Sequence, residues 1–127
     1  MATEVLVNDG GAPARILPFT AGSALTAGHV VNMSADGKVD MCPSGATYAI
    51  GAAFVDANSG ANCSIITGRG VILNLAVSGT LAVEEGQTLS VTNAGGGVLV
   101  SGTSNVVAVA LEAQTLANSS LVKCMLL

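Results

Sequence analysis

The chain has 127 residues, enough for one domain with a core of its own, and half of them are hydrophobic. Only 9% are charged, far below the quarter or so of an ordinary soluble domain, and Gly, Ala, Ser, Thr and Asn fill the deficit. The net charge is −4 and the only basic residues are Arg15, Lys38, Arg69 and Lys123, too few and too scattered to neutralise a run of phosphates, which excludes direct nucleic-acid binding.

In chain order, residues 1–20 carry "NDGGAPA" and Pro18 with little hydrophobic period. They predict an extended N-terminal arm that finds its partner outside its own domain. The start lacks the basic and apolar regions of a secretory signal. Residues 21–127 then read as a single β domain. Short β-branched runs predict strands over 30–33, 38–42, 47–55, 64–67, 71–76, 88–91, 98–101, 106–112 and 121–126. Turn signals such as "ADGK", "PSG", "NSG" and "NAGGG" separate them, with Gly37 and one of Gly95 to Gly97 at positive φ. No stretch holds a helix of three turns. The longest uncharged stretch, Gly86 to Leu111, contains "TNAGGG" and "SGTSN", whose backbone could not go unpaired in hydrocarbon, so it is no membrane span.

The chain also repeats itself. An offset of 58 lays Ala24 on Ala82, Leu25 on Val83, Gly28 on Gly86, Val31 on Leu89 and Ser34 on Thr92. After a two-residue slip, an offset of 56 lays Ile50 on Val106, Ala52 on Ala108, Ala57 on Ala113 and "ANCSII" on "ANSSLV". Pseudo-repeats over 22–67 and 80–123 follow. Two copies cannot build a solenoid, so the expected fold is all-β, a compact small barrel or sandwich of two internally repeated halves behind the extended arm.

Residues able to carry chemistry are scarce. His29 is the only imidazole and its counterpart in the second copy is Gln87, which reads as an exposed strand position without an orienting partner. Cys42, Cys63 and Cys124 are odd in number and lack C-x-x-C spacing, as befits reduced thiols. Glu84 and Glu85 are adjacent on one turn and do not face each other across a substrate. Asp36 and Asp40 flank a hairpin without the ligands Ca²⁺ needs, and "NAGGGV" lacks the Lys-Ser/Thr ending of a phosphate loop. No catalytic, cofactor or metal site is expected, and no small-molecule substrate.

What remains are side chains of the kind that dominate interfaces: Arg15, Phe19, Tyr48 and Arg69, with Phe54 read as core. A surface so poor in charge invites self-association.

The order "LTAGHVV", "AIGAAFVDANSGANCSII", "GRGVILNL", "VEEGQTLSV", "VAVALEAQT" and "LVKCMLL" resembles the small capsid decoration or cement proteins of tailed bacteriophages. The resemblance covers most of the chain after Gly22 and rests on glycines and aliphatics where strands begin. It implies an all-β protein without catalytic residues, often trimeric, made in the host cytoplasm. Such a protein sits on the outer surface of the virion capsid and bridges neighbouring major capsid proteins. On that reading Leu6, Val7, Ile16, Leu17 and Phe19 of the arm insert apolar side chains into the shell or a neighbouring subunit, beside Arg15, Tyr48 and Arg69. The alternatives are another virion module, in a tail or head fibre, and a small ligand-binding β-barrel, which would need a cavity with convergent polar groups.

Overall fold

A computed structural model of the chain describes residues 5–8, 15–78, 82–91, 96–115 and 120–127. The fold is all-β, with no helix among the described residues. Five strands close a barrel: β2 (Arg15–Ala21), β3 (Val30–Ala35), β4 (Lys38–Met41), β5 (Gly51–Ala53) and β6 (Asn62–Thr67), in the order β2-β4-β3-β5-β6. A six-stranded sheet takes β1 (Leu6–Asn8), β7 (Ile72–Val77), β9 (Thr88–Ser90), β10 (Val100–Ser101), β11 (Val106–Ala110) and β13 (Ser120–Leu126), in the order β1-β7-β13-β11-β9-β10. A short ribbon pairs β8 (Ala82–Val83) with β12 (Gln114–Thr115).

The doublets "VV", "AA" and "II" explain how two layers of β structure share one core. Side chains alternate along a strand, so Val31, Ala53 and Ile65 fill the barrel, while Val30, Ala52 and Ile66 point the other way into a larger core with Leu73, Leu75, Leu89 and Val122 of the sheet. All six barrel residues are fully buried. A strand covered on both faces needs consecutive apolar residues rather than alternation, which is why these stretches show no polar face.

All nine predicted runs contain a strand, with those at 98–101 and 106–112 trimmed to β10 and β11 and the one at 47–55 shortened most: β5 begins at Gly51, and residues 47–50 lie outside the strand. The expected arm is corrected. Its last third is β2, paired antiparallel with β6 from Arg15↔Thr67 to Thr20↔Asn62, so residues 15–20 belong to the barrel. Pro18 obscured this. It is tolerated because β4 pairs with β2 only at Thr20 and Ala21, leaving an open edge beside Pro18 where no N–H is required. Nearer the start, β1 pairs within the chain with β7, and the buried Val5 accepts the Asn74 N–H through its carbonyl at 2.7 Å. Residues 1–4 and 9–14 of the expected arm lie outside the described residues.

The two β layers share a set of pairings. The Gly28 N–H donates to the Ala53 carbonyl at 2.9 Å and the Gly86 N–H to the Ala110 carbonyl at 2.7 Å, both glycines at positive φ (86° and 83°). Val31 faces Gly51 as Leu89 faces Ala108, and Leu25 faces Ala57 as Val83 faces Gln114. Matched this way, the offset is 58 before the slip and 57 after it, in place of 56. Ile50 then matches Val107 and Phe54 matches Leu111, so the small residues Gly51 and Ala53 align with Ala108 and Ala110.

Candidate functional site

Two surface features stand out. The first is the beginning of β2, where Arg15, Ile16, Leu17 and Pro18 are all exposed, since among the described residues only one edge of that stretch is paired. Ile16 is 48% and Leu17 37% exposed. Phe19 is half-buried against the barrel core, and its carbonyl accepts the Cys63 thiol at 3.4 Å. Beside it, Pro18, Phe19, Thr20, Asn62, Ser64 and the 47% exposed Val55 line an open groove of about 470 Å³.

The second feature is a cavity of about 330 Å³ between barrel and sheet. Ile50, Val107 and Leu126 contribute apolar wall, and Tyr48, Thr67 and Arg69 contribute polar groups. Tyr48 is 46% exposed and Arg69 is exposed. The shortened strand creates this site: residues 47–50 leave the ladder, with Ile50 bonded to the Val31 carbonyl at 2.9 Å, and so expose the Tyr48 side chain at the wall. Arg69 is carried between Gly68 and Gly70, both at positive φ. Asn105, at φ 52°, is the one non-glycine in that region among the described residues and lines the same cavity.

Tyr48 and Arg69 therefore share one cavity, and Arg15 stands across the ladder from Thr67 on its wall. Ile16, Leu17 and Phe19 lie further along β2. The backbones of Leu6 and Val7 lie in β1 at the opposite sheet edge, and their side chains fall outside the described residues. Val55, Asn105 and Val107 were not singled out from sequence; a residue closing an apolar run or opening one after "SGTS" carries no mark of which surface it will line.

The titratable groups are structural in their contacts. His29 is half-buried rather than exposed, and its Nδ1 lies 2.6 Å from the Gly96 carbonyl, joining barrel to sheet. Burial pushes the Cys42 thiol up to about 11 and the Cys124 thiol up to about 12. Glu112 accepts the Lys123 N–H at 2.9 Å, which together with Gln114 and the Lys123 charge holds its carboxyl below the usual range. Among the described residues no three His, Cys, Asp or Glu side chains gather as metal ligands.

A family model of phage cement proteins matches residues 11–126. The chain belongs to that family. Membership gives this cement protein a structural role in the virion. No curated protein sequence matches it. Among solved structures it is similar to the head fibre gp8.5 N base of bacteriophage phi29, with a TM-score of 0.67 at 16% identity over 91% of this chain and 95% of that one. At that identity the likeness speaks for the fold, and it covers barrel and sheet together.

Proposed function

We propose that this cement protein decorates the outer surface of a tailed-phage head and bridges neighbouring major capsid proteins. The supporting observation is the open edge of β2, where Ile16 and Leu17 stand exposed beside the groove of Phe19 and Val55 on a domain whose other large side chains are mostly inside. Apolar residues on an unpaired strand edge supply both side-chain burial and main-chain hydrogen bonds to a partner strand. Each such contact is modest, but a shell repeats it hundreds of times over and links its subunits. Tyr48 and Arg69 serve a second contact, with a neighbouring subunit of the same protein.

The test is co-sedimentation with heads assembled from the major capsid protein encoded alongside this chain. Wild type should load the heads and raise the temperature at which they open. An Ile16→Asp/Leu17→Asp variant should lose at least tenfold in binding; equal occupancy by that variant would refute the assignment of β2. The likeness to a head fibre base favours a second reading, attachment at a few special positions. Electron microscopy of decorated heads separates the two, since bridging fills sites across the whole shell.

A further inference from the structure

The few charges of this molecule are sorted in a way that points to a second contact. Of the four basic residues, Lys123 lies beside Glu112, and Lys38 sits in the hairpin that carries Asp36 and Asp40. Arg15 and Arg69 make no ion pair with any described residue; Arg69 lines the cavity walled by Tyr48, and Arg15 stands across the ladder from Thr67 of its wall. The exposed carboxylates left over include the adjacent pair Glu84 and Glu85. Their turn is rigid: the Gln87 N–H donates to the Glu84 carbonyl and the Glu84 N–H to Gln87 Oε1, each at 3.2 Å, while Gly86 is tied to Ala110.

Among the described residues no ion pair joins turn and cavity within one molecule. They sit at opposite ends of β11: Val107 lines the cavity, and Ala110 holds the Glu84–Glu85 turn. At the rise of an extended strand this places them roughly 10 Å apart along β11. We propose that a second copy of the chain inserts its Glu84–Glu85 turn into the Tyr48–Arg69 cavity.

Here a carboxylate meets a guanidinium with five fixed donors, beside the apolar walls of Ile50, Val107 and Leu126. The turn is already shaped, so docking orders little new chain. Because the two patches differ, each copy offers both halves of the contact, the turn to one neighbour and the cavity to the same neighbour or another. The proposal deepens the structural reading above, on which it rests for giving Tyr48 and Arg69 to a partner surface, and it names that partner.

Sedimentation of the free protein over a range of concentrations tests it, with no heads present. Wild type should run as a defined multimer that dissociates as salt rises. Arg69→Glu alone, and Glu84→Arg with Glu85→Arg, should each weaken assembly at least tenfold. All three changes in one chain should restore it, which also shows that the variants fold. A wild type that stays a single chain, reversals that assemble unchanged, or a triple variant that fails to reassemble would each overturn the contact. Single chains that still load heads would leave the capsid role standing, whereas multimers that ignore heads would remove that role alone.

Discussion

Gly97 and Val30 lock the sheet to the barrel. The Val30 N–H donates to the Gly97 carbonyl at 2.9 Å, and a Cβ on Gly97 would stand 2.6 Å from the Val30 carbonyl oxygen and 2.9 Å from the His29 Cβ. With φ at +74° the position also disfavours an L side chain. Gly97→Ala should therefore cost about 2–4 kcal/mol, read as a lower urea midpoint with an unchanged slope. Gly86→Ala is the control: its φ is similar, but nothing lies within 4 Å of the added Cβ, so it should cost only about 1–2 kcal/mol. Equal losses at both sites would show that close approach at the joint does not matter.

Leu75 and Ile16 should behave as opposites. Leu75 is fully buried in the core between barrel and sheet, and Leu75→Ala should cost about 2–5 kcal/mol in thermal or urea unfolding. Ile16→Ser should stay within about 0.5 kcal/mol of wild type, because half of that side chain already faces water. Its effect belongs in the head-binding assay.

The three thiols are buried and free, so thiol reagents should leave the folded protein unmodified at neutral pH and label all three on unfolding. Burial raises Cys42 and Cys124 above the ordinary value of 9.0, to about 11 and about 12, because the core favours the neutral form. The unfolded chain thus loses these protons first as pH rises. Stability contributed by the neutral thiols is fully present below pH 9 and is lost as pH climbs through 11 and 12. Urea midpoints measured between pH 8 and pH 11 should fall, and Cys124→Ala should fall less steeply over the same interval.

Glu112 has the opposite sign. Its lowered folded value means that its contribution is present above the ordinary carboxylate value of 4.5 and disappears as pH drops below it. Glu112→Gln keeps an acceptor for the Lys123 N–H but not the charge, so the midpoint at pH 7 should fall somewhat while the acid loss becomes shallower.

Removing residues 1–21 should abolish cooperative unfolding. The six register pairs between β2 and β6 close the barrel, and without them Ile65 and Cys63 lose their cover. A chain beginning at residue 11, where the family match starts, lacks only β1 and should still unfold cooperatively. Loss of folding in that longer chain would mean that the sheet edge at β7 requires β1.

Local chemistry settled a good deal. Aliphatic and β-branched runs marked the strands at 30–35, 72–77 and 120–126, and a glycine marked the turn at Gly37, because a strand's preference and a turn's φ are decided within a few residues. The family was legible for the same reason, being written in those glycines and aliphatics. Strands β1, β8 and β12 are two or three residues long, too short to set a pattern. Strand β2 has its partner β6 more than 40 residues away, so Ile16 and Leu17 read as loose arm until pairing placed them on an edge. The repeat shows the same division: matching like residues favours an offset of 56, while the hydrogen bonds of Gly28 to Ala53 and Gly86 to Ala110 set 57. Scarcity of charge belongs to composition; the gathering of Tyr48 and Arg69 at one cavity, with Arg15 paired to Thr67 of its wall and Glu84 and Glu85 at the far end of β11, arises only when residues distant in the chain are packed against one another.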